Sequence, residues 1–336
     1  IKGDDNEQIV KLSNLMLQGA LISSNYTEAL PLLHNILSRM PNPTLIVDGS
    51  VNTKFLLLSL VNIEILFNIG DFAQCVEVAK DLLGIIKPEI IEKIKPAGFS
   101  IKLFIEHLFE TFRMVGFAKL FMMDDDLEEF LDAIKIAFGD ELPDKNVILS
   151  VRDYLSGKNF GTTDVEEATP FAKVIYLIMQ EFAEHSDDYK TFAQNIYQAK
   201  LLTADIHQFQ LELFCDLLIA NSYANIGIAK KAESIYNDVL KRAETSAMFN
   251  IIMLAKYFIA RHLLKNLREE EALLIINDTL ALLQKSNNQA KIFYVLFEKL
   301  FIDTVKEYDI SSINLDSEEQ KLALATSDGK LSRLVN

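Results

Sequence analysis

The residues able to do acid–base, nucleophilic or metal chemistry are few and widely spaced. The five histidines are His34, His107, His185, His207 and His262, and none belongs to His-Glu-x-x-His or another close metal-ligand spacing. Glu106-His107 and Glu184-His185 are sequence neighbours, so each pair points to different sides of a helix and reads as partly exposed helix residues. Cys75 and Cys215 lie too far apart to form a disulfide framework or a zinc cluster. Both sit in apolar runs, which fits buried free thiols. No nucleophile elbow and no Cys–His constellation occurs.

Two loop-like stretches invite a ligand and fail on spacing. Asp124-Asp125-Asp126-Leu127-Glu128-Glu129 resembles a calcium loop in charge alone. An EF-hand needs Gly at the sixth position and Glu at the twelfth, where Glu129 and Lys135 stand. Acidic residues that open a helix and complement its exposed N–H groups explain the run better. Arg268-Glu269-Glu270-Glu271 reads the same way. Ser156-Gly157-Lys158-Asn159-Phe160-Gly161-Thr162-Thr163 lacks the Gly-Lys-Ser/Thr ending of a phosphate loop and follows no apolar strand, so it reads as a linker. Asn221 and Asn225 are the unusual pair. They lie one helical turn apart in an otherwise apolar segment, and each amide offers both a donor and an acceptor.

Helices must position all of these groups. Apolar residues recur every three to four positions almost throughout, and strict alternation over strand lengths is absent. The pattern predicts helices at about 7–23, 26–40, 53–69, 72–86, 99–123, 126–138 and 146–154. It continues at about 170–185, 187–200, 203–226, 228–243, 245–265, 268–285 and 288–308. Pro41-Asn42-Pro43, Lys87-Pro88 and Pro96-Ala97-Gly98 end helices, because proline lacks the N–H and crowds the preceding turn. Thr169-Pro170 reads as an N-cap followed by proline at the first helical position. Ser186-Asp187-Asp188 can cap the helix after it.

Composition agrees. The chain has 336 residues, half of them hydrophobic, with 12 Gly, 7 Pro and no Trp. So few turn residues argue against Rossmann, P-loop and all-β folds. A net charge of −15 argues against binding nucleic acid or a membrane through a general basic surface. Phe55–Phe67 and Ala247–Ile259 are the most apolar runs. Both are interrupted by Asn, Glu or Lys and fall short of the roughly 18 residues a membrane span needs. The 22 phenylalanines occur mainly at helical spacing and read as core. Phe112, Phe117, Phe121, Phe130 and Phe138 form the densest group.

The helices come as similar pairs. Tyr26, Ala29, Leu33, Ile36 and Pro41 set out a large residue at the turn, a small one three positions on, and a stop. Phe72, Cys75, Ala79, Leu82 and Pro88 repeat it. Ala229, Ala232, Tyr236 and Val239 follow the same layout, preceded by Ala220 and Tyr223 in the first helix of their pair. Ala272, Ile276 and Thr279 follow Ala260 and Leu263 in matching roles. Weaker copies centre on Leu127 with Ala137, and on Tyr189 with Ile196 and Ala199. This resembles the tetratricopeptide repeat, over roughly residues 7–285. The chain departs from that family in lacking its tryptophan. It also has Phe130 and Phe192 at the small-residue position, and its anchors are irregularly spaced.

The resemblance implies an all-α fold: a right-handed α-solenoid of antiparallel helix pairs. The expected organisation is N-terminal repeats over 1–139, a linker with a short helix over 140–165, C-terminal repeats over 166–310, and a capping helix or disordered tail over 311–336. It also implies a concave face made by the first helix of each pair. By position in the repeat, Lys11, Asn14, Gln18, Glu64, Asn68, Lys119, Asn221, Asn225, Tyr257 and Arg261 would line that groove. The family's set for clamping a C-terminal carboxylate is not reproduced in consecutive repeats.

The function expected is a non-enzymatic scaffold that holds a partner protein or peptide within a larger assembly. It would use no cofactor, metal or nucleic acid, and this segment would not insert into a membrane. The alternative is a peptide-sensing regulator whose output domain lies outside this chain. The chain opens on Ile1, which suggests processing or excision. Cytoplasm is favoured, and a periplasmic or envelope location fits if a signal or anchor was removed.

Overall fold

In a computed structural model the described residues are 12–13, 15–21, 25–40, 44, 46–47, 50–85, 101–138, 142–158, 160, 165–166, 168–185, 188–205, 209–285 and 290–308. The fold is all-α. After a helical stretch at 15–21 come α1 (Tyr26–Ser38), α2 (Thr53–Ile69), α3 (Phe72–Ile85), α4 (Ile101–Phe121), α5 (Leu127–Phe138) and α6 (Lys145–Leu155). Then follow α7 (Pro170–His185), α8 (Tyr189–Asp205), α9 (Phe209–Asn225), α10 (Ala229–Thr245), α11 (Phe249–Lys265), α12 (Glu269–Lys285) and α13 (Lys291–Tyr308). Two-residue strands, β1 (Ile46–Val47) and β2 (Ser50–Val51), pair antiparallel between α1 and α2. Hydrophobic spacing is blind to them because two residues carry no period. Pro41–Pro43, Lys87–Gly98, Ser186-Asp187 and the tail beyond 308 lie outside the described residues.

The chain divides into two compact units. One comprises Ile1–Leu120, Asp124–Leu142 and Glu244–Phe249; the other comprises Phe121–Met123, Pro143–Ala243 and Asn250–Asn336. Within each, helices pack in chain order. In the first, α1 packs on α2 and α2 on α3, and α3 also meets α5. In the second, α6 packs on α7, α7 on α8, α8 on α9, and α12 on α13.

One burial pattern repeats in the second helix of every pair. Counting from the first helical residue, positions +3, +7 and +10 are buried in α1, α3, α5, α8, α10 and α12. They are Ala29/Leu33/Ile36, Cys75/Ala79/Leu82, Phe130/Ile134/Ala137, Phe192/Ile196/Ala199, Ala232/Tyr236/Val239 and Ala272/Ile276/Thr279. The spacing follows from a helix with one face against its neighbours. The +3 position is small in four of the six, which lets the pair approach closely. Phe130 and Phe192 fill it in the other two. There the ring packs edge-on against another: Phe112 with Phe130 at 6.3 Å between centroids, and Phe182 with Phe192 at 5.1 Å. Thr279 satisfies its buried hydroxyl by donating to the Ile275 carbonyl at 2.7 Å.

The turns repeat as well. At Gly70, Gly157, Gly227 and Leu267 the chain takes a left-handed residue after the helix, with φ of 85°, 87°, 86° and 58°. The N–H of the next residue then donates back five positions: Asp71 to Leu66, Lys158 to Asp153, Ile228 to Tyr223 and Arg268 to Leu263. This is the Schellman arrangement that satisfies the last free carbonyls of a helix. Met123 (φ 53°) does the same, with the Asp124 N–H donating to Lys119, so three of the five are glycine, which bears the conformation at least cost.

Helix starts are capped as the sequence indicates. Asn52 accepts from the Phe55 N–H, Asp71 from Gln74, Thr169 from Ala172 and Asp188 from Thr191. Segment 140–165 holds α6, and its start is tied down. The buried Asp144 carboxylate accepts from both the N–H and the hydroxyl of Thr169, each at 2.8 Å.

Candidate functional site

The polar face of α11 stands out in the second unit. Asn250, Tyr257, Arg261 and Lys265 lie at i, i+7, i+11 and i+15, so one face of the helix carries all four. At about 1.5 Å per residue this stripe runs about 22 Å. Phe258 and His262, a quarter-turn away, pack on Tyr236 of α10, with the Tyr236 and Phe258 rings stacked at 6.1 Å. Tyr257 packs edge-on against Phe297 of α13 at 5.9 Å. Aromatic packing on both flanks therefore fixes how far α11 can rotate and where its polar face points.

Tyr257 is 3 % exposed and Asn250 is 7 % exposed. Among the described residues neither the Tyr257 hydroxyl nor the Asn250 Oδ1 has a well-formed hydrogen-bond partner. Burial raises the Tyr257 pKa, opposed by the Arg261 charge and aided by Asp303. The Arg261 guanidinium lies 5.7 Å from the Tyr257 ring centroid and approaches the phenol without closing a well-formed bond. The Lys265 ammonium donates to Oδ1 of Asn225 on α9. Partial burial first, and the Arg261 charge second, hold the Lys265 pKa down.

Arg261 and Lys265 form no ion pair among the described residues. By contrast Lys200 bonds Asp216 at 2.6 Å, and Arg242 reaches Glu212 at 3.4 Å and Asp238 at 3.6 Å. Arg268 chelates Glu271 and bridges to Glu233 at 3.1 Å. These pairs join α8 to α9, α9 to α10, and the α12 turn to α10, so they are structural.

The other residues expected at a groove are placed as follows. Asn221 and Asn225 are partly exposed one turn apart on α9, beside the Lys265 end of the stripe. Gln18 is exposed, and Lys11 and Asn14 lie outside the described residues. Asn68 is buried and donates to the Glu64 carbonyl at 2.7 Å, so its amide is engaged within its own helix. Lys119 is wholly buried, with its ammonium bonded to Asp124 and 5.9 Å from the Phe130 centroid. Its charge is taken up inside the α4–α5 hairpin. Burial opposes ionisation of Asp124, but the hydrogen bonds from Lys119 and the Asp126 N–H prevail and lower its pKa. The acidic run thus orders a turn.

Glu64 has a different environment, in the first unit. Burial and then the charge of Glu110 push its carboxyl up to about 7, against the pull of Arg113. Arg113 is itself buried and bonds Glu110 at 3.2 Å. Burial lowers His107 nearby, opposed by Glu110. Cys75 and Cys215 are free and buried, and burial raises both thiols to about 12.

Asn250 and Lys265 were missed in the sequence. Their signal was present as i−7 from Tyr257 and i+4 from Arg261, but nothing in spacing shows that a polar group lacks a partner. Among the described residues no group of three or more His, Cys, Asp or Glu side chains is placed to hold a metal ion. No described helix is long and apolar enough to cross a membrane. No family model, curated protein or solved structure matches this chain.

Proposed function

We propose that this chain is a non-enzymatic interaction scaffold. Its helix pairs would stack as a tetratricopeptide-like right-handed α-solenoid, and the first helix of each pair would line a concave face. A partner protein or peptide would lie along that face within a larger assembly. The observation that carries the reading is the α11 stripe, where among the described residues Arg261 and Lys265 have no counter-charge and the buried Tyr257 hydroxyl and Asn250 Oδ1 have no well-formed partner. Buried polar groups are rarely left unsatisfied, and each costs about 1–3 kcal/mol when they are. That cost, beside two cations without counter-charge among the described residues, supports a binding role for this helix. The repeated +3, +7, +10 burial in the second helices supports the stacking.

The test is site-specific photo-crosslinking in the cells that make the protein. A benzophenone side chain replaces Asn221 on α9 or, as control, the exposed Leu274 on the outer side of α12. The reading expects a discrete crosslinked protein from Asn221 and not from Leu274. Equal yields from both positions, or none from Asn221, would overturn it.

A further inference from the structure

We infer that the α9–α11 face takes an extended peptide segment bearing acidic side chains, with Arg261 and Lys265 receiving its carboxylates. The inference rests on the scaffold reading and adds the chemistry of the occupant.

The argument starts from charge. The chain carries 48 acidic and 33 basic residues, so carboxylates are in excess. Lys200, Arg242 and Arg268 in the same unit each found one or more. Among the described residues Arg261 and Lys265, one turn apart, pair with none; burial first and then the Arg261 charge lower Lys265, and like charges at this spacing repel. Asp303, exposed on α13, is near enough to affect Tyr257 but pairs with neither cation.

The hydrogen-bonding groups point the same way. Lys265 donates to the Oδ1 of Asn225, which leaves the Asn225 amide hydrogens to donate outward. Guanidinium, ammonium and amide together form a set of donors, and a carboxylate is an acceptor only. Arg261 and Lys265, the accessible part of the stripe, stand about 6 Å apart along the helix, the reach of about two residues of extended chain. Two cations suit one or two acidic side chains. A polyphosphate chain bears a charge on every unit, so it meets more of the acidic protein's repulsion than a segment with one or two carboxylates.

A cellulose-bound array of heptapeptides, with blocked N- and C-termini and varied composition, tests this with the full chain as probe. The expected result is that retained peptides are enriched in Asp and Glu. Affinity for the best of them, measured in solution, should fall about tenfold in Arg261→Gln and in Lys265→Gln. Thermal melting of both variants should match or exceed the parent, because the change removes a like-charge contact. Retained peptides that are uncharged or basic, or variants that bind acidic peptides undiminished, would overturn the inference and leave the scaffold reading intact. Preference for a ten-nucleotide oligothymidine over every peptide would overturn both. So would failure to retain any peptide together with absence of a crosslink from Asn221.

Discussion

A buried aspartate and a partly buried glutamate show how differently this chain treats charge. Asp144 is buried with a purpose: its two oxygens accept from the N–H and hydroxyl of Thr169, which in turn caps α7. Asp144→Ala removes both acceptors and leaves two donors facing a cavity. The expected loss is about 2–3 kcal/mol, seen in urea unfolding as a lower midpoint at unchanged slope. Glu64 has no such partner. Its folded carboxyl titrates near 7 and its unfolded one near 4.5, so ionisation opposes folding. The fold is therefore most favoured below the unfolded value and loses stability as pH rises through 7. Glu64→Gln should remove that loss. It should stabilise the protein by about 2 kcal/mol at pH 8 and leave it nearly unchanged at pH 4.5. Urea unfolding at the two pH values measures the difference, and equal effects at both would refute it.

Elements are where the sequence was most readable, for a physical reason. A helix with one buried face must repeat its apolar residues every three to four positions, so α2, α7 and the +3, +7, +10 pattern stand in the sequence directly. Turns are less readable, because a left-handed residue is visible only when it is glycine. Gly70 and Gly227 announce their turns, while Leu267 occupies the same conformation unannounced. That difference predicts a stabilising substitution. Leu267 is 74 % exposed, so removing its side chain forfeits little burial, and glycine relieves the left-handed strain. Leu267→Gly should gain about 0.5–1 kcal/mol after the entropy of the unfolded glycine is counted, read as a Tm rise of about 1–3 °C. Gly227→Ala is the mirror test. No atom lies within 4 Å of the added methyl, so a loss of about 1 kcal/mol would be backbone strain alone. The candidate site was half readable: helical position gives Asn221, Asn225, Tyr257 and Arg261. Position also gave Lys119 and Asn68, whose polar ends are engaged inside the protein. Direction along a helix can be counted from sequence, but whether a neighbour has already answered a charge cannot.

At the scale of the molecule, the −15 charge sets long-range repulsion against short-range pairing. The pairs of Lys200 and Arg242 are partly exposed, and such pairs contribute at most about 1 kcal/mol each. Repulsion among the excess carboxylates acts over the whole Debye length, about 30 Å at 0.01 M salt and about 8 Å at 0.15 M. Screening over that range removes most of the distant repulsion but leaves contacts of 3 Å largely in place. Raising NaCl from 10 to 150 mM should therefore raise Tm by a few degrees. A fall would mean that the ion pairs between helices outweigh the net charge. An acidic segment approaching Arg261 and Lys265 meets the same field, repulsive at a distance and attractive at contact. Its association rate should consequently rise over that salt interval, where an uncompensated basic surface would give a fall. Stopped-flow mixing with the array's best peptide separates the two, since only a local cation pair set in an acidic surround gives a rate that increases with salt.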